Sequence, residues 1–298
     1  MRIATFNVQN LRLRQRDGSP HLDGAVDGDA RGLPRAMSLD IADRRRTAKL
    51  IAEADADVVA LQEVFDTDAL DFFHDRFLVP AGAEPYPHRI CLPGNDGRGL
   101  NVAALSRIAP QRADGHANLT GSDLGLRDLP DDLIDRPLFR RDCLRLDLRG
   151  ITLFICHFKA PYPDPETAWT VRNAEARGVR ALIEHAFSDP AEAEWIALGD
   201  FNEHAAQSGA ATSAVAPLTE GFGVDLSDRL APDSGWTFET PDTHRRSRPD
   251  RIIVSPRLAR HYPLAIPRIL RPQAGPGTRP HASDHALIYI DFPGLAGF

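Results

Sequence analysis

Short apolar segments rich in β-branched residues recur along the chain and predict the strands of a β-sheet. In residues 143–148 the leucines alternate with other side chains, at the period of two expected when one face of a strand is buried. The Arg149-Gly150 corner predicts a hairpin into the next strand. The predicted strands are residues 2–8, 57–61, 101–105, 143–148, 151–156, 195–198, 251–254 and 286–292.

Two segments have the helical period instead. In residues 40–54 the apolar side chains share one face. The pattern predicts that the charged side chains opposite it are solvated, namely Arg44, Arg45, Arg46, Lys49 and Glu53. Residues 165–187 form the second predicted helix, with Glu166 near its positive start. Each helix leads into a predicted strand. Since a hairpin also joins two of the strands, the pattern favours a mixed α/β fold over an all-parallel sheet.

The organisation of the chain favours one domain. No shift in composition and no internal repeat divides it, so residues 1–298 are predicted to fold together. Three long polar segments interrupt the pattern, at residues 14–39, 107–136 and 263–281. Loops of this length are typically functional lids or tolerated surface insertions, and the sequence leaves both interpretations open.

Composition narrows the class of protein. With 42% hydrophobic and 26% charged residues, the chain has an ordinary globular balance. Its net charge of −7 repels polyanions at long range, so any nucleic acid must bind at a local basic surface. Three cysteines without zinc-site spacing, no signal-peptide core and no apolar run of membrane-spanning length predict a soluble, cytoplasmic protein, with a monomer favoured.

Polar residues end several of the predicted strands. Taken singly, each has an ordinary explanation as a turn residue, a helix cap, an exposed charge or a half-buried histidine. Together they can converge on one crevice, because rigid strands fix the directions of side chains at their ends. These residues are Asn7, Glu63, His157, Asp200, Asn202, Asp284 and His285.

This set of residue types suits a hard divalent cation. Mg²⁺ prefers oxygen ligands and usually binds through one or two protein carboxylates. Glu63 is the candidate anchor, Asp284 a second carboxylate and Asn7 a neutral amide ligand. Mg²⁺ is therefore the predicted cofactor, with Mn²⁺ as the alternative, and zinc fits less well because the donors are mostly oxygens.

The remaining residues suit attack of water on a phosphoester. Such a reaction needs a positioned water and stabilisation of negative charge on phosphate oxygens. Asp200 can orient the water and Asn202 can donate to a phosphate oxygen, as can His157 and His285. Asp250 is the predicted partner of His285, and a neighbouring carboxylate favours the imidazolium form.

Four short motifs in order resemble the endonuclease/exonuclease/phosphatase superfamily. They are Ala4-Thr-Phe-Asn7, Leu61-Gln-Glu63, Leu198-Gly-Asp-Phe-Asn202 and Ser283-Asp-His285. The resemblance implies a four-layered α/β sandwich, in which two mixed β-sheets pack face to face with helices on the outside. It also implies metal-dependent hydrolysis of a phosphoester.

By the same resemblance, Arg140 and Arg141 occupy the position of a phosphate-contacting arginine, and Lys159 adds to that contact. Two departures stand out. The tyrosine that several relatives place shortly before the arginine is missing, and no carboxylate near residues 99–101 can pair with His157. A tyrosine role therefore does not carry over, and the protonation state of His157 is left open.

The substrate is less constrained than the reaction. The basic run at residues 244–248 is either a grip on a phosphate backbone or a solvated loop. We predict a nuclease acting on DNA or RNA. The alternatives are a phosphatase or phosphodiesterase for a phosphorylated small molecule or lipid headgroup, and a non-catalytic binding module of the same fold.

Overall fold

Two six-stranded β-sheets dominate the computed structural model, which describes residues 1–26, 36–204, 212–240, 243–271 and 281–295. The strands are β1 (Arg2–Leu11), β2 (Leu13–Arg16), β3 (Ser19–Leu22), β4 (Val58–Val64), β5 (His88–Cys91), β6 (Asn101–Ser106), β7 (Arg112–Asp114), β8 (Cys143–Leu148), β9 (Ile151–His157), β10 (Trp195–Asp200), β11 (Val224–Asp225), β12 (Phe238–Glu239), β13 (Arg246–Ser247), β14 (Asp250–Val254), β15 (Arg268–Leu270) and β16 (Leu287–Asp291). The α-helices are α1 (Met37–Ala54), α2 (Thr67–Phe73), α3 (Asp131–Ile134), α4 (Pro165–Ala186), α5 (Ala216–Thr219) and α6 (Pro256–His261).

The two sheets have the same plan. Sheet one has the order β15-β16-β1-β4-β6-β5, and sheet two has the order β11-β14-β10-β9-β8-β7. In each, a central parallel pair, β1 with β4 or β9 with β10, is flanked by antiparallel strands. The predicted mixed character of the fold is therefore confirmed.

Three apolar clusters hold four layers together. Between the sheets, residues such as Ile3 and Val102 of sheet one pack against Leu146 and Ile196 of sheet two. A second cluster buries the outer face of sheet one beneath α1 and α2, and a third buries that of sheet two beneath α4. This is the predicted four-layered sandwich. Within the described part of the chain, no helix has the length and apolarity needed to cross a membrane.

The strand directions bring chemically useful residues to one edge. Both strands of a parallel pair end at the same edge, and an antiparallel neighbour begins there. The ends of β4, β9 and β10 and the starts of β14 and β16 therefore meet, and β1 passes the same edge at an irregularity between Asn7 and Leu11.

The long polar segments contain more structure than the pattern predicts. Residues 14–39 include the β2–β3 hairpin and the start of α1, residues 107–136 include β7 and α3, and residues 263–281 include β15. These strands are too short for a sequence period to show them. Residues 27–35 and 272–280 lie outside the described ranges. The hairpin at Arg149-Gly150 is confirmed, with Gly150 at φ 82°.

The prediction that Arg44 is solvated is wrong. Its side chain is fully buried beneath the irregular end of β1. Nη1 donates to Val8 O at 2.7 Å, Nη2 to Gln9 O at 2.7 Å and Asn10 O at 2.9 Å, and Nε to Asp23 O at 2.6 Å. Helical periodicity places Arg44 among charged residues, but it cannot show that a distant strand presents unpaired carbonyl groups to it.

Replacing Arg44 with methionine should lower the free energy of unfolding by about 3 kcal/mol, because buried carbonyl groups lose a charged donor. Urea unfolding followed by circular dichroism measures this change. Arg45→Met is the matched control, since Arg45 is exposed on the same helix. Equal stability of the two variants would contradict the structural role of Arg44.

Candidate functional site

One row of polar residues crosses the edge of sheet two. Asp200 of β10 is the register partner of His157 on β9 and of Asp250 on β14. All three side chains are buried. His157 Nε2 lies 3.5 Å from Asp200 Oδ2. Residues predicted from separate segments are therefore neighbours because their strands are neighbours.

A second row comes from sheet one and faces the first. Asn7 Nδ2 donates to Glu63 Oε1 at 3.3 Å and to Asp200 Oδ2 at 3.1 Å, so one amide group joins the two sheets. His285, two residues before the start of β16, places Nε2 3.7 Å from Asp200 Oδ2. The charge of Asp284 acts on Glu63. The predicted strand-end residues thus form one cluster.

The backbone around this cluster is strained. Glu63 and Asn202 have positive φ angles of 66° and 51°, and Gln9 and Asn10 have angles of 49° and 57°. Such conformations cost roughly 1–3 kcal/mol each and tend to occur where a side chain or N–H group must be aimed. Here the N–H of Asn10 donates to Glu63 Oε2 at 3.0 Å.

A glycine makes the approach between β9 and β10 possible. Gly199 has φ 140°, and a Cβ atom there would overlap the carbonyl oxygen of Cys156. Only glycine fits this conformation at such close range. Position 199 therefore requires glycine, and the close approach of the two strands holds Asp200 beside His157.

His285 is paired as the sequence predicts. Its Nδ1 lies 2.8 Å from Asp250 Oδ2. Burial alone lowers the pKa of His285, but the charges of Asp250 and Asp200 outweigh burial and raise the pKa well above the ordinary value. His285 is therefore an imidazolium at neutral pH, and its Nε2–H is directed towards the site.

His157 has the opposite character. Burial lowers the pKa of His157 well below the ordinary value, and the charges of Arg141, His285 and Arg98 lower it further. Its Nδ1 has no hydrogen-bond partner among the described residues. Among the described residues, Nδ1 of His157 therefore has no carboxylate partner, and the lowered pKa favours the neutral form of this histidine.

The carboxylates of the cluster repel one another. Burial raises the pKa of Glu63, and the charge of Asp284 raises it further. Burial also raises the pKa of Asp284 and of Asp200. A divalent cation relieves this kind of repulsion. The ligand atoms of Asp200, Asp250 and His285 lie within 4.8 Å of one another, so this group could hold a metal ion.

Asn202 and Asn7 act mainly on other residues of the site. Asn202 donates its N–H to Asp200 Oδ1 at 2.8 Å and its amide Nδ2 to Phe158 O at 3.0 Å. Asn7 Oδ1 accepts the N–H of Gln9 at 3.0 Å. These bonds fix the orientation of both side chains.

The predicted phosphate-binding cations lie beside the cluster, with partners of their own. Arg141 is buried and donates from Nη1 to Phe158 O at 2.9 Å. The backbone N–H groups of Arg140 and Lys159 both donate to the buried carboxylate of Glu175, at 2.8 Å each. Lys159 Nζ donates to Ala160 O at 3.0 Å and to Tyr162 O. Their phosphate contacts stay predictions.

The basic run at residues 244–248 is partly neutralised. Arg246 pairs with Glu239 and stacks on Trp236 at 4.6 Å, while Arg248 pairs with Asp228. These partners support the interpretation as a solvated surface more than the grip on a phosphate backbone.

Sequence reasoning assigned no role in the site to several residues near it. The ring of Phe238 lies between His285 and His204, with centroid distances of 5.0 Å and 5.1 Å, and burial lowers the pKa of His204 to about 4. Asp96, 3.0 Å from Arg141 Nε, and exposed Arg98 lie at the rim of the cluster, in a glycine-rich turn before β6. Short turns carry little periodic signal, although Asn-Asp-Gly at residues 95–97 marks one.

Comparison with known proteins places the fold in a family. A model described as the Endonuclease/Exonuclease/phosphatase family matches residues 4–285. The structure resembles truncated TDP2 from Caenorhabditis elegans, with a TM-score of 0.59 and 14% identity, over 97% of this chain and 95% of that chain. No curated protein sequence gives a significant match.

Two further structures carry descriptions of their activity. A 3'-5' exonuclease from Neisseria meningitidis is 19% identical, with a TM-score of 0.58, and the match covers 98% of this chain and 99% of that one. An AP endonuclease from Archaeoglobus fulgidus is 15% identical, with a TM-score of 0.59 and the same coverage. At these identities the likeness establishes a shared fold.

Proposed function

This chain belongs to the endonuclease/exonuclease/phosphatase family, and from that premise we propose that it is a Mg²⁺-dependent phosphodiesterase that hydrolyses nucleic acid. The observation that carries the proposal is the contact of Asn7 with both Glu63 and Asp200. This contact connects Glu63, which is suited to bind a cation, with Asp200, which is suited to orient an attacking water molecule.

The donor set fits a hard cation. Glu63 and Asp284 are half-buried carboxylates, and burial raises the pKa of both. Their hydrogen bonds come from neutral donors such as Asn7 and Ser283. In the alternative group, Asp250 is already bound to His285, and an imidazolium does not bind metal. We therefore assign Glu63 and Asp284 to hold the ion, with Asn7 beside them. A bound Mg²⁺ would supply positive charge that polarises the phosphoester.

The protein's own groups account for the other needs of the reaction. Asp200 accepts hydrogen bonds from Asn7 and Asn202. These bonds fix the orientation of the Asp200 carboxylate, which can then orient a water molecule in the site. Burial raises the pKa of Asp200, which makes its carboxylate a more effective base at neutral pH. His285 donates from Nε2 as an imidazolium, and Asp250 keeps it charged and oriented. Neutral His157 completes the pocket as a weaker donor.

Nucleic acid is the substrate class that we favour. The exonuclease and AP endonuclease structures share the fold over nearly the whole chain. A panel of duplex DNA, single-stranded DNA, abasic DNA, RNA and phosphorylated metabolites, assayed with Mg²⁺ and with chelator, tests the assignment. Turnover of a phosphomonoester without turnover of any nucleic acid would contradict the proposed substrate class. No turnover of any member would favour a binding module.

Replacing Glu63 with glutamine should raise the Mg²⁺ concentration needed for half-maximal activity by ~10-fold or more, because a charged ligand becomes neutral. Isothermal titration with Mg²⁺ alone provides a readout independent of turnover. Glu53→Gln is the matched control, since Glu53 is exposed on α1. An unchanged magnesium titration in Glu63→Gln would exclude this ligand.

A further inference from the structure

One exposed arginine at the rim of the site is held in a fixed orientation. Arg98 Nε donates to Asp96 Oδ1 at 3.0 Å, and Arg98 Nη2 donates to Asp96 Oδ2 at 2.9 Å. The Arg98 side chain nevertheless keeps 63% of its surface exposed. A guanidinium fixed before a ligand arrives loses less conformational freedom on binding than a mobile one.

Asp96 connects Arg98 to the buried site. Arg141 Nε lies 3.0 Å from Asp96 Oδ2, and Arg141 Nη1 donates to Phe158 O at 2.9 Å. The same carbonyl oxygen accepts from Asn202 Nδ2 at 3.0 Å. A continuous series of polar contacts therefore runs from the residue that holds Asp200 to the rim.

Two arginines meet at one aspartate at the rim. Arg98 and Arg141 share the single carboxylate of Asp96. Burial opposes ionisation of Asp96, but hydrogen bonds from Arg98 and the charge of Arg141 outweigh it and lower the pKa of Asp96. Two guanidinium groups therefore share one carboxylate at this position. Arg98 Nη1 donates to none of the residues that the structure describes, so it is available to a ligand.

The field of Arg98 reaches the reaction site. Its charge contributes, after burial and the charges of Arg141 and His285, to the lowered pKa of His157. The charge of Glu63 acts in turn on Arg98. Because Arg98 is exposed and shares Asp96 with buried Arg141, an anion bound at Arg98 lies beside the buried cluster, not within it.

We propose that Arg98 is a specificity-determining residue that binds a second phosphate of the substrate, next to the phosphoester being hydrolysed; this rests on the proposed function. The planar guanidinium matches phosphate in charge and geometry. The second phosphate is either a neighbouring backbone phosphate of a nucleic-acid strand or the terminal phosphate of a shorter substrate.

The test compares substrates that differ in phosphate number. They are bis(4-nitrophenyl) phosphate, the dinucleoside monophosphate dTpdT, its 5'-phosphorylated form pdTpdT and a single-stranded 12-mer. Arg98→Ala should leave kcat/KM for bis(4-nitrophenyl) phosphate within about 2-fold of wild type. It should lower kcat/KM by ~10–100-fold where a second phosphate is present, the scale of a lost charge-assisted hydrogen bond.

The two phosphate sources give different results. If the terminal phosphate is bound, the loss appears with pdTpdT but not with dTpdT, whereas a loss confined to the 12-mer identifies a backbone phosphate. The kcat/KM of Arg98→Lys should fall between those of wild type and Arg98→Ala, because lysine keeps the charge but lacks the planar guanidinium group. An equal loss on all four substrates, or no loss on any, overturns the proposal.

A matched control and a binding assay separate this proposal from the proposed function. Arg112 is also exposed and also pairs with an aspartate two residues away, Asp114, but it lies on the edge strand β7. Anisotropy of a fluorescein-labelled 12-mer in chelator should show ~10-fold weaker binding for Arg98→Ala and unchanged binding for Arg112→Ala. If wild type hydrolyses nothing, the proposed function fails while this comparison still decides for or against Arg98. Equal affinities of Arg98→Ala and Arg112→Ala for the 12-mer would overturn the proposed role of Arg98.

Discussion

Replacing Asp200 with asparagine is expected to lower kcat by roughly 10²–10⁴-fold, the range associated with loss of a positioned acid–base group. The amide is nearly the same size and can keep the contact with Asn202, but it cannot accept a proton from water. KM should change much less than kcat, since Asp200 acts on the attacking water rather than on the body of the substrate. Steady-state kinetics on the best substrate of the panel measures the effect.

Stability distinguishes this role from a structural one. Burial raises the pKa of Asp200, so its ionised form costs the folded state free energy at neutral pH, a cost that grows as pH rises through the folded pKa. Asp200→Asn removes that charge but also replaces one acceptor oxygen with an NH2 group, so the melting temperature should stay close to that of wild type. Exposed Asp233 supplies the control as Asp233→Asn, with full activity expected. Full activity in Asp200→Asn would exclude the assignment, and a lower melting temperature would point to structure instead.

The second large effect is expected at His285. His285→Gln should lower kcat by ~10²–10³-fold, because glutamine can donate a hydrogen bond but carries no positive charge and has no proton to transfer. Asp250→Asn should cause a smaller loss in kcat with little change in KM, since Asp250 only positions and charges His285.

The double variant tests whether the two residues act as a pair. If Asp250 works through His285, the double variant should be no worse than His285→Gln alone, whereas independent residues would give multiplied losses. Kinetics of the wild type, both single variants and the double variant complete this cycle. Multiplied losses would refute the positioning role of Asp250.

Local sequence patterns were sufficient for the central strands and the two long helices. The predicted helix at residues 165–187 is α4 (Pro165–Ala186), and β8 (Cys143–Leu148) agrees residue for residue. The contact of Asp250 with His285 was also anticipated, because a histidine that must act as an imidazolium needs a neighbouring carboxylate. Amphipathic periods and strand-end chemistry are encoded within a few neighbouring residues, so one sequence shows them.

Other features depend on partners distant in the chain. Arg44 is buried because β1 leaves carbonyl groups beneath it, and Arg98 is fixed by an aspartate that Arg141 also contacts. The sheet order, which makes Asp200 the neighbour of both His157 and Asp250, arises from the packing of the whole molecule. No window of sequence contains that information.

The contact between Asn7 and Asp200 has a consequence for how this molecule fails when heated. Under the proposed function, each sheet supplies part of the reactive groups, and neither set is sufficient by itself. A thermal intermediate that kept both sheets but let them slide apart would still look native by its secondary structure, yet it would be inert. Inactivation should therefore follow the separation of the two halves, so turnover reports their docking more directly than circular dichroism does.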